Sequence, residues 1–67
     1  MTPAERIMQF FTYDHLPENL QVVSKPFAIL AQQMVANVAG NPEHTVGLRK
    51  LLEAKDCFVR AVLYKDE

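Results

Sequence analysis

AGNPEHTVGLRKLLEAKDCFVRAV, residues Ala39 to Val62, decides the fold. Within it Leu48, Leu52, Val59 and Val62 recur at the spacing of an amphipathic helix. AGNP reads as the end of one helix and the start of the next. Gly40 suits the left-handed cap conformation, Asn41 the following N-cap, and Pro42 the first helical position. So short a connection folds the second helix back on the first as an antiparallel helical hairpin. The second arm is expected from about Pro42 to Tyr64, with Lys65, Asp66 and Glu67 as a frayed end.

Upstream, Leu20, Val23, Phe27, Leu30, Ala31, Met34 and Val38 form a second helical stripe that begins near Pro17. Its phase is unbroken across Pro26. A proline inside a helix costs about 3 kcal/mol, so either a kink is expected there or a break, with Ser24 capping a new helix. Before this, MTPAERIMQFF predicts a short helical turn from Pro3, anchored by Ile7, Phe10 and Phe11. TYDHLPEN interrupts it and leaves Tyr13 on a turn. The expected fold is all-α: residues 1–67 as one antiparallel helical-hairpin domain with a short N-terminal helical segment.

A chain of 67 residues buries a core that contributes only about 3–5 kcal/mol, so something must supplement it. Cys57 is the only cysteine, and the two histidines have no zinc-ligand spacing, which leaves self-association. The first long helix also carries a second apolar line on its back, Val22, Ile29 and Ala36, which a two-helix hairpin cannot cover. The expected state is therefore a homo-oligomer. Seven basic against eight acidic side chains lack the positive field needed by a nucleic-acid polymer or an anionic membrane surface. No apolar run approaches the ~20 residues of a membrane span, and MTPAERIMQFF lacks the features of a signal peptide. A cytoplasmic location, in a compartment that keeps one thiol reduced, is expected.

Arg49, Glu53, Asp56 and Arg60 lie along one edge of the last helix at ion-pair spacing. They read as a solvated ladder in which each pair contributes about 0.2–0.5 kcal/mol. Arg60 is its member most suited to a further role, since a guanidinium fork matches phosphate oxygens or a guanine edge. Lys55 falls inside the apolar stripe of the same helix. Either its stem snorkels and carries the ammonium to the edge of the hairpin, or it lines a subunit junction, where Glu18 or an anionic ligand supplies the counter-charge. Tyr13, followed by His15, has a flat face for a nucleobase near Ser24 and Lys25, and Lys25 suits a phosphate near a helix start. The alternative is that Tyr13 packs over the helix ends and Lys25 is solvated. No histidine has a recognisable nucleophile partner and no phosphate-cradling GxxxxGK[ST] loop occurs, so catalysis is not expected.

Tyr13-x-x-Leu16, an amphipathic helix, a loop with Asn41-Pro42, and a helix ending in Val59-Arg60-Ala61-Val62 follow one another over nearly the whole chain. This order resembles the small bacteriophage helical-hairpin proteins of the anti-CBASS and anti-Thoeris sponge group. The resemblance implies compact homo-hexamers that do no chemistry and sequester cyclic di- or trinucleotide immune messengers in pockets between protomers, in the cytoplasm of an infected bacterium. It puts Tyr13 at the base-stacking tyrosine and Arg60 at an arginine near the end of the C-terminal helix. It puts Ala28 where the group has a phosphate-gripping lysine, and Lys25, one turn earlier, is the candidate to reach that phosphate. The expected ligand-binding set is Tyr13, Ser24, Lys25, Lys55 and Arg60, with no cofactor and no metal. The other expected function is that of an oligomeric module that binds a host or phage protein through a helix face.

Overall fold

The computed structural model describes residues 1–66; Glu67, expected in the frayed end, lies outside them. Three α-helices follow in order: α1 from Pro3 to Met8, continued by a 3-10 turn over Gln9–Phe11, then α2 from Glu18 to Asn37 and α3 from Pro42 to Leu63. Among the described residues there are no strands.

Two of the helices start in the same way. Thr2 caps α1, its Oγ1 accepting from Glu5 N at 3.1 Å and donating to Glu5 Oε1 at 3.2 Å, with Pro3 in the first turn. Asn41 caps α3 as expected, its side-chain oxygen accepting from His44 N at 2.9 Å, again with a proline next. α2 begins differently: Pro17 occupies the cap position without a side-chain bond, and its carbonyl accepts from Leu20 N and Gln21 N. Gln21 steadies this start, since its Nε2 donates to Leu16 O at 2.7 Å and thereby holds the Tyr13–Leu16 turn against the helix.

α2 runs without a break through Pro26, so Ser24 caps nothing and is instead 1% exposed. The proline removes the N–H that would serve the Val22 carbonyl. Val22 and Pro26 are both exposed, so water can reach that carbonyl, which makes an internal proline tolerable there. The end of α2 also departs from expectation. Gly40 does not enter the left-handed region, and α2 instead stops at Val38 in an extended conformation. The carbonyl of Met34 accepts from Val38 N at 3.0 Å, the last bond of the helix, and also from the His44 ring Nε2 at 3.2 Å, so a side chain of α3 is tied to the end of α2.

α1 and the 3-10 turn lie against both long helices, and the core forms where the three meet: Ile7, Phe11, Ala28, Ala31 and Leu48. Ala4, Ile7, Met8 and Phe11, spaced at helical steps, face it. Phe10, expected as an anchor, points the other way and is 58% exposed. The buried side of α2 follows its expected stripe in part. Leu20 and Ala31 are buried and Val23 and Phe27 half-buried, Ser24 and Ala28 are buried beside them, and Leu30, Met34 and Val38 stay exposed. Ile7 and Phe11 cluster with the small side chains Ala28 and Ala31. α3 also packs on α2: His44 meets Met34, and the Phe58 ring stacks on Phe27 with centroids 5.9 Å apart.

Candidate functional site

Lys55 occupies the position on α3 that faces the N-terminal segment. Its side chain is 13% exposed, and Nζ donates to the backbone carbonyl of Phe10 at 3.0 Å. Asp56 Oδ1 lies 3.0 Å from the same nitrogen, so the counter-charge is the next residue in the chain and not Glu18. Neighbouring residues on a helix do not normally face each other; here Lys55 and Asp56 flank the edge where α3 meets the 3-10 turn. The ammonium ties the end of that turn to α3, and the stem covers apolar surface beneath it.

A test follows from this geometry. Lys55→Met keeps the stem and leaves the Phe10 carbonyl to solvent, so it is expected to lower unfolding free energy by about 0.5–1.5 kcal/mol, the net contribution of one hydrogen bond. Lys55→Ala, which also removes the packing of the stem, is expected to cost more. Urea unfolding of both variants measures the difference, and equal losses would show that the packing contributes nothing.

The expected ladder on α3 is not formed. Lys55–Asp56 is the one ion pair among the described residues, so Asp56 is drawn to Lys55 and away from Arg60. Arg60 is exposed, and Nη2 donates to Cys57 Sγ at 3.3 Å. The reason is reach: Asp56 meets an ammonium held in place by burial, which is a better partner than a solvated guanidinium on a mobile stem.

Ser24 and Lys25, adjacent in sequence, are about 100° apart on α2 and meet opposite environments. Ser24 is buried with no hydrogen-bond partner for its hydroxyl, and Lys25 is exposed. Tyr13 is half-buried on its turn and packs against the Ile7–Phe11–Ala28 cluster. None of the five expected ligand residues lines any of three clefts found among the described residues. The largest, about 570 Å³, lies between Thr2 and the α2–α3 connection at Asn41 and His44. The other two, about 480 and 280 Å³, open along the line where α2 meets α3.

Sequence reasoning missed two participants. His44, which joins the ends of α2 and α3, has only its place in the first turn after Asn41 to mark it. The Phe10 carbonyl lies 45 residues from Lys55 and carries no sequence signal, since every residue has a carbonyl. Among the described residues no three His, Cys, Asp or Glu side chains are grouped to hold a metal ion, and no helix is long and apolar enough to cross a membrane. No protein-family model matches the chain, and neither a curated protein nor a solved structure matches it.

Proposed function

We propose that the protein is a non-catalytic, self-associating sponge that captures cyclic di- or trinucleotides between protomers in the cytoplasm of an infected bacterium, as the group it resembles does. One observation supports the ligand role above the others: Asp56 is taken by Lys55, which leaves the exposed Arg60 guanidinium without a carboxylate among the described residues. Such a group is ready for a phosphate oxygen. Lys25 and Arg60 each lie about half a turn from Phe27 and Phe58 on their helices, so the two cations face away from the α2–α3 contact and are presented outward to a second molecule. Two cations and a tyrosine that line no cleft in one protomer need a second protomer to enclose a ligand. Capture without turnover requires affinity above that of the competing receptor and comparable abundance.

Purified protein is mixed with a panel of cyclic di- and trinucleotides, freed of unbound ligand by gel filtration and heated. The expected result is release of one member of the panel chemically unchanged. Altered nucleotide would show an enzyme. Failure to retain any member would favour the second function, a protein-interaction module, for which the apolar clefts between α2 and α3 are the supporting observation.

A further inference from the structure

We infer that the open seam between α2 and α3 is the face on which a second copy of the chain docks, so that two copies form a four-helix bundle. This rests on the reading of the protein as self-associating and goes further by assigning one contact to one face; Lys25 and Arg60 lie about half a turn from that face on α2 and α3, so a ligand held between protomers needs a contact other than this one.

The seam is largely apolar. Near one end a cleft opens between Leu30 and Met34 of α2 and Gly47 and Leu51 of α3, with His44 as its one titratable lining residue. Near the other, a cleft opens between Val23 and Phe27 of α2 and Phe58 and Val62 of α3. On α2 these residues lie about a quarter-turn from Leu20, Ser24, Ala28 and Ala31, which α1 and its 3-10 turn help to cover. No Asp, Glu, Lys or Arg lines either cleft, and the chain's net charge is only −1, so two copies can meet here without repulsion.

Area and size point to a second copy. A compact monomer of 7.6 kDa exposes about 4,300 Å². This chain exposes 5007 Å². The surplus of roughly 700 Å² belongs to the whole chain, which leaves more surface uncovered than a compact domain of its size, as small domains completed by association do. Shape agrees: the radius of gyration is 12.8 Å, against about 11 Å for a compact chain of this length, and the long axis is 43 Å. A self-complementary apolar strip presented by two adjacent helices is covered by its own copy about a two-fold axis. Of the back line of α2, Val22 borders the second cleft, whereas Ile29 and Ala36 line neither.

Phe58 is 56% exposed and Leu30 42%, so a charge at either position can remain in water in the single chain. Phe58→Glu and Leu30→Glu are each expected to raise the dissociation constant of the pair about a hundredfold or more and to halve the sedimenting mass at micromolar concentration. Val46→Glu, on an exposed apolar side chain that lines none of the clefts, should leave the mass unchanged. Phe58→Trp supplies a readout that does not depend on a disruptive variant: its emission should move to shorter wavelength with concentration, in step with mass. The seam assignment is overturned if both Glu variants keep the wild-type mass, if the Trp at 58 stays solvent-exposed in the assembled protein, or if Ile29→Glu alone dissociates it. The last two outcomes leave self-association standing. A wild-type chain that sediments at 7.6 kDa overturns the seam and the self-associating reading together.

Discussion

Phe11→Ala is expected to abolish cooperative unfolding or to leave the chain largely unfolded at 25 °C, while Phe10→Ala, one residue earlier, leaves stability within about 0.5 kcal/mol. Phe11 is 2% exposed and belongs to the cluster through which α1 and its 3-10 turn join α2 and α3. Truncating a buried phenylalanine typically costs about 3–5 kcal/mol, from lost transfer energy and from the cavity that remains. A core this small contributes about as much in total. Ala28 and Ala31 have no side-chain atoms that could move into the space. Phe10 is 58% exposed, and its contribution to the fold is a backbone carbonyl that accepts from Lys55, which alanine preserves. Thermal melting followed by circular dichroism compares the two. Similar melting curves would mean that the N-terminal segment does not dock through Phe11.

The second large effect is expected in ligand affinity. Arg60→Ala should weaken binding of the retained cyclic nucleotide about tenfold to a hundredfold, the loss of a charge-assisted contact of about 1.5–3 kcal/mol. Arg60 is exposed and its side-chain hydrogen bond goes only to Cys57, so the fold should be unaffected. Tyr13 requires more care, because its ring packs against the core cluster as well as presenting a face for a base. Tyr13→Leu keeps apolar contact and removes the stacking surface, whose expected contribution is about 1–3 kcal/mol per base. Lys25→Ala tests whether Lys25 supplies the phosphate contact that the resemblance would put at Ala28, which is 2% exposed and cannot itself meet a ligand at the surface. A loss equal to that of Arg60→Ala would make Lys25 the replacement. Titration calorimetry reads all three, and unchanged affinity for both Arg60→Ala and Tyr13→Leu would remove the site drawn from the resemblance.

Much of the secondary structure was legible because its signals are local. Asn41-Pro42 predicted the start of α3, and Pro3 the start of the N-terminal turn. The Thr2 cap before Pro3 uses the same chemistry and was open to the same reading. The periodicity of α2 survived Pro26 because the lost bond falls where water can replace it. The candidate site was less legible. Lys55 was conspicuous as a charge in an apolar stripe, but its acceptor is a backbone carbonyl on another element. Its carboxylate partner sat in a ladder that spacing alone favoured.

The sequence by itself determined that the chain is helical, where α3 begins, and that α2 has more apolar surface than one neighbour can cover. Periodicity and capping act within a few residues, so they need no knowledge of the rest of the molecule. Only the tertiary structure decided which part of α2 is buried. Leu20 and Ala31 of the expected stripe are buried and Val23 and Phe27 half-buried, but Ser24 and Ala28, which hydropathy does not single out, are buried beside them, while Leu30, Met34 and Val38 stay exposed. Periodicity fixes a stripe along one helix. Where the N-terminal segment lies across it depends on surfaces distant in sequence, and that decides which part of the stripe is covered.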